Sequence, residues 1–336
     1  MRWKDLTDNQ KANGINIRWT GCDDNEWHWG GQFAGQEGAI ITGPVKGMVH
    51  VPFKSIWSEP AYAPPRFERT VDERKEIGLR LTTFSDSEYG WFDTEEKLWA
   101  GLNGDEQGWF HVWTRRYGEL YLPMQLLDSV ENELEDDPSI EANGSMHEWD
   151  ILLAADGEPR FRQPDLYDEW QYVPGTPTKM VTQDDEKFSP KIEVGVGQLK
   201  VANRSPTRKA WPVYHVSAPG RCWLEDGMSG RMFRVPKLPK GMHVRIDTNP
   251  ENRIVIGAKD PIRSNWMTDW VNNSDLLQLF LRDFGAEAIP ILEQFHGQGF
   301  ETPLEPRTEN RLTVYHSEPG ARVSVSVPQR FERPFS

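Results

Sequence analysis

The chain has 336 residues, with 38 Lys and Arg set against 52 Asp and Glu for a formal net charge of −14, and no clustered basic stripe, which argues against a protein that grips duplex nucleic acid. A hydrophobic content of 37% is modest, but 15 Trp and 15 Phe supply enough large buried area to exclude disorder of the whole chain. The two cysteines, Cys22 and Cys222, argue against a disulfide framework, and neither an apolar signal region near Met1 nor a run approaching the ~18 apolar residues of a membrane span is present.

The length suggests two domains, and the composition suggests synthesis in a cytoplasm without a cleaved signal. Residues 15–20, 26–29, 39–44 and 48–53 are short β-like runs separated by Gly or Asx turns, the pattern of a meander. Residues 60–70, with Pro64-Pro65, are expected to form an extended loop. Residues 75–84 show a period-2 strand carrying Ile77, Leu79 and Leu81, a candidate for pairing with a neighbouring subunit. A short helix is expected over 93–102, with Asp93 or Thr94 as its N-cap. Residues 108–114 and 118–124 form a hairpin, and 146–155 a further strand. Between them lies an acidic run, Glu131, Glu133, Glu135, Asp136 and Asp137, which is a solvated block, a cation site or a lining for a channel.

Residues 162–190 lack periodicity and are expected to contain the junction, giving a first domain over 1–175, a linker over 176–190 and a second domain over 191–336. Past the junction, Val213-Tyr214-His215 followed by Pro219-Gly220-Arg221 is echoed by Val314-Tyr315-His316 followed by Pro319-Gly320-Ala321-Arg322. The two copies read as repeats of one hairpin edge in a β-sandwich. Strands are expected at 244–247 and 253–256, one helix at 275–284, and an insertion over 276–300. Trp223, Trp266 and Trp270 are candidates for stacking on a sugar or a protein partner.

His28, near Cys22 and Asp23-Asp24, lacks the four closely spaced ligands of a structural zinc site. His215 and His316 read as strand residues. Gly195-Val196-Gly197 lacks the final glycine of a phosphate loop, and no nucleophile elbow, HExxH or P-loop is found, so no catalytic, cofactor or metal residue is assigned.

Ala210-Trp211-Pro212-Val213-Tyr214 with Pro219-Gly220, then Val244-Arg245-Ile246-Asp247-Thr248, and the closing residues from Val323 to Phe335 together resemble the distal tail proteins of long-tailed bacteriophages, in particular those of actinobacterial hosts. The resemblance implies a mostly β fold, with an N-terminal ring-forming belt domain carrying one short helix and a C-terminal galectin-like β-sandwich carrying a helical insertion. It also implies a non-enzymatic role in the tail tip of the virion. Six copies would form a ring between the tail-tube protein and the tip hub, contact other minor tail proteins, let DNA pass through the lumen, and use no membrane anchor. A wall-polysaccharide-binding protein or glycoside hydrolase is the alternative, since abundant carboxylates and Trp are the raw material of such sites.

Overall fold

A computed structural model describes residues 14–59, 62, 64–86, 88–128, 145–182, 190–217, 219–238, 240, 242–250, 255–259, 289–290 and 299–335. It is mostly β. The strands are β1 (Asn16–Thr20), β2 (Glu26–Gly30), β3 (Ala39–Ile41), β4 (Phe53–Ser58), β5 (Arg66–Asp72), β6 (Glu76–Ser85), β7 (Gly108–Thr114), β8 (Gly118–Leu126), β9 (Ser145–Ala155), β10 (Phe161–Gln171), β11 (Thr178–Thr182) and β12 (Lys191–Asn203). They continue with β13 (Val213–Ser217), β14 (Gly220–Glu225), β15 (Met232–Leu238), β16 (Met242–Asp247), β17 (Val255–Lys259), β18 (Ile289–Pro290), β19 (Thr308–His316) and β20 (Arg322–Phe331). The one helix among the described residues is α1 (Glu88–Gly101). The chain divides into two compact units, residues 1–163 with 331–336 and residues 164–330, so the division falls inside β10 and β20.

In the first unit an antiparallel sheet runs β3-β6-β9-β8-β7-β1-β2. Period-2 alternation builds it: Ile77, Leu79 and Leu81 of β6 point into a core shared with Leu153, Phe110, Val112, Leu120 and Leu122, while Arg80 points out to Asp150, its cross-strand partner, at 2.9 Å. Trp19 and Trp29 stack within this core at 5.6 Å. The Trp19 indole also donates to the Gly101 carbonyl at 3.2 Å, satisfying an orphan acceptor at the end of α1.

The helix begins earlier than the sequence reading places it. Trp91 is buried, and this anchor draws the turn before Asp93 into the helix. Thr94 therefore lies inside α1, and its hydroxyl donates back to the Gly90 carbonyl at 2.8 Å instead of capping. Residues 48–52 form no strand, because the run shifts to β4, and the extended loop expected over 60–70 contains the start of β5.

The second unit is a two-sheet sandwich. One sheet runs β18-β17-β16-β13-β20-β10, the other β11-β12-β19-β14-β15, and both contribute to a single core that includes Leu199, Tyr214, Leu224, Val235, Val244, Leu312 and Val325. The stretch expected to be an aperiodic junction supplies β10 and β11. From there Trp170 packs against the sandwich core, and Tyr172 stacks on Trp170 at 6.1 Å. Gly197 and Gly195 leave space for them, since an added Cβ would lie 2.3 Å from the Trp170 ring and 2.6 Å from the Tyr172 ring.

The repeated Val-Tyr-His and Pro-Gly segments do not form hairpins. β13 belongs to the first sheet and β14 to the second, whereas β19 belongs to the second and β20 to the first, so each copy is a corner that carries the chain across the sandwich. Gly220 and Gly320 sit at φ 118° and 90°, a region that favours glycine, which is why each corner needs its Pro-Gly. The corners also tie to each other. Arg322 N donates to Ser217 Oγ at 2.7 Å, and Arg221 N donates to Ser317 Oγ at 2.9 Å. Within the copies the parity is reversed, with Tyr214 in the core and His316, not Tyr315, fully buried.

Candidate interaction surfaces

β4 and β5 pair with each other and, among the described residues, with no other strand. The ribbon carries Phe53 at 61% exposure, Trp57 at 54% and Phe67 at 53%, with Val71 also exposed, and the Trp57 and Phe67 rings meet edge to face at 5.5 Å. A lone two-stranded ribbon is marginal in water, and contiguous exposed aromatics mark a surface meant to be covered. Lys54, Arg66 and Arg69 lie on the same two strands against Glu68 and Asp72, an excess of one base on an acidic chain. At its root, a cavity of about 590 Å³ is lined by Gly47, His50, Pro52, Glu73, Arg74 and Glu76. Sequence reasoning missed the ribbon because both its faces are exposed. With no face turned to a core, the strands need no polar and apolar alternation.

The residues singled out from sequence are not brought together. Ile77, Leu79 and Leu81 are buried in the first core, and β6 is flanked by β3 and β9. A strand paired on both sides within its own chain is not an open edge, so the expected inter-subunit pairing there is corrected to an internal one along those stretches. Trp223 is 7% exposed in β14, which leaves too little of its ring for a sugar to stack on. Trp266, Trp270, the acidic residues Glu131, Glu133, Glu135, Asp136 and Asp137, and most of the 276–300 insertion lie outside the described residues.

His28 is bound to Glu37, with Nδ1 2.8 Å from Oε1 and its backbone N–H donating to Oε2 at 2.9 Å. Although burial acts to raise Glu37, these His28 hydrogen bonds prevail and hold its carboxyl below the usual range. Among the described residues no group of three or more His, Cys, Asp or Glu is arranged to hold a metal ion. His215 and His316 lie in β13 and β19, and burial pushes His316 down to about 4 and His215 well below the ordinary imidazole value.

Two polar nodes that the sequence did not reveal hold the first unit together. Arg18, buried in β1, bridges Glu26 and Glu119 across neighbouring strands, with His111 Nδ1 3.2 Å from its Nη2. Burial would raise Glu119, yet hydrogen bonding from His111 and the Arg18 charge bring it down to about 2. In α1, buried Glu95 accepts from the indoles of Trp99 at 2.6 Å and Trp149 at 2.9 Å and from the Thr83 hydroxyl, clamping the helix onto β6 and β9. The Glu95 carboxylate and the Arg18 Nη atoms are spent on these neighbours, while Arg18 Nε is buried without a hydrogen-bond partner.

The fold thus defines a β-rich protein of two units, a helix-bearing antiparallel sheet and a two-sheet sandwich, with an exposed aromatic ribbon. No known protein-family description and no curated protein matches the chain. Among solved structures, it is similar to the Dit protein (gp 19.1) of SPP1, described as a paradigm of the hub adsorption apparatus in phages that infect Gram-positive hosts. That similarity covers 95% of this chain and 100% of that one, at 8% identity and a TM-score of 0.48. It is also similar to a chain of the phage P2 baseplate in its activated conformation with Ca, at 9% identity over 94% of this chain and 98% of that one, with a TM-score of 0.42. The same baseplate with Sr gives 9% identity, the same coverage and a TM-score of 0.41.

Proposed function

We propose that the chain is a structural, non-enzymatic protein of a bacteriophage tail tip, which forms a ring joining the tail tube to the tip hub and offers its second unit as a docking face for other tip or receptor-binding proteins. The observation that carries this reading is the β4–β5 ribbon, an arm whose Phe53, Trp57, Phe67 and Val71 are exposed in the single chain. Covering the exposed part of these four side chains contributes roughly 4 kcal/mol per arm, a useful share of a subunit contact. A cyclic ring is the arrangement in which such a head-to-tail contact closes on itself.

The sequence resemblance at residues 210–220, 244–248 and 323–335 supports the tail-tip assignment and sets the expected copy number at six. A net charge of −14 suits the wall of a conduit through which DNA slides, because like charges repel. On this reading the protein folds in the host cytoplasm and ends in the virion.

The location is tested by a tag inserted at Gly175, an exposed turn position at φ 89°, and detected with gold in assembled particles. Label at the distal end of the tail is expected. Label along the tail shaft, or particles that lack the tagged chain while the same tag is intact in the lysate, would overturn the assignment.

A further inference from the structure

The root of the arm contains two buried cations, each bound to one side of the ribbon's base. Lys75 is fully buried. Its Nζ donates to the His50 carbonyl at 2.8 Å on the approach to β4 and lies 5.3 Å from the centre of the Phe161 ring. The Lys75 backbone is tied in turn to the end of β9, where Ala155 N donates to the Lys75 carbonyl at 2.8 Å. Arg160 is 5% exposed, donates to Asp72 at the end of β5, bonds Glu332 Oε1 at 3.3 Å and lies 3.6 Å from Glu158 Oε1. Between the two cations, Glu73 N donates to the Pro52 carbonyl at 2.9 Å and continues the ribbon's ladder into the first unit.

A buried cation costs several kcal/mol in desolvation, and a packed apolar side chain in its place is often as stable or more so. Two of them at one junction, gripping the two strands separately, are better explained by geometry than by stability. We infer that Lys75 and Arg160 are positioning residues that fix the direction in which the β4–β5 arm leaves the first unit. Removing either grip leaves the ribbon's internal ladder intact and frees it to swing about residues 50–52 and 72–75. This set of the arm is a property of the single chain, so its test can fail or succeed independently of the tail-tip reading.

The test is a distance distribution by double electron–electron resonance in the full chain with Cys22→Ser. One label is placed on the arm at Thr70→Cys and one on the exposed turn at Arg115→Cys, and a reference pair joins Arg115→Cys to Glu96→Cys on α1. Lys75→Met and Arg160→Gln are each expected to broaden the arm distribution about twofold, the signature of a loosened hinge, and to leave the reference pair unchanged. An arm distribution as narrow as in the parent, or equal broadening of both pairs, overturns the inference. Asp72→Ala, at a side chain 40% exposed, removes the acceptor of the Arg160 grip without touching the core and is expected to act in the same direction, so the test holds even where Arg160→Gln does not fold.

Discussion

Replacing Lys75 by Met should change how stability responds to pH far more than it changes stability at neutrality. Burial pushes the Lys75 ammonium down to about 8, with the Glu332 charge opposing the shift. In the unfolded chain the same group titrates near 10.4. Below about pH 8 both states carry the proton, and the folded state bears the whole cost of burying the charge. Between about 8 and 10.4 the unfolded chain binds a proton that the folded chain has released, so folding becomes more favourable as pH rises. At 1.36 kcal/mol per unit, the gain across that window is about 3 kcal/mol.

Lys75→Met removes this gain together with its cause. At pH 7 the relieved desolvation, about 3 kcal/mol, is offset by the His50 carbonyl losing its charged donor, which costs about 1–3 kcal/mol. The net change at neutrality is therefore small. The assay is urea unfolding of parent and variant at about one-unit steps from pH 7 to 10, reading the difference between the two free energies so that other titrating groups cancel. The parent should gain on the variant by about 3 kcal/mol across the series. A difference that stays flat, or one that falls with pH, would refute the assignment of a buried ammonium at this position.

Other substitutions test the internal nodes. Arg18→Ala leaves Glu26 and Glu119 facing each other without their shared cation and should cost about 3 kcal/mol in a chemical melt. Gly197→Ala places a Cβ 2.3 Å from the Trp170 ring, and the displaced ring should cost about 1–3 kcal/mol, visible as a shift in tryptophan emission. His316 is fully buried with its pKa near 4, so acidification from about 6.5 to 4 protonates the unfolded chain first and should remove up to about 3 kcal/mol, a loss absent in His316→Asn.

What was legible in the sequence is what one buried face imposes. β6 turns one side to a core along much of its length and its alternation placed it within a residue, whereas β1 and β2, buried on both faces, were placed by the Gly and Asx turns that bound them. The arm presents no such face, and Pro64-Pro65 beside it reads as loop. The start of α1 was hidden because Trp91 acts through tertiary burial, which overrides the local signal of Asp93 and Thr94. The repeat of Val-Tyr-His and Pro-Gly was real, but its meaning was not local. Whether a Pro-Gly turn folds a strand back on its neighbour or carries it to the opposite sheet depends on partners far along the chain, here β16 and β20 for one copy and β12 and β14 for the other. The polar nodes were equally invisible, since Arg18, His111 and Glu119 are brought together only by strand register.

Assembly through the exposed aromatic arm is read from the mass of the purified chain in solution at rising concentration, alone and with Trp57→Ser and Phe67→Ser combined. Neither side chain is buried in the single chain, so the double variant should unfold within about 1 kcal/mol of the parent. The parent is expected to form a closed oligomer of one stoichiometry and the variant a folded monomer. A parent that remains monomeric at every soluble concentration, or a variant that assembles as the parent does, would contradict assembly through the arm.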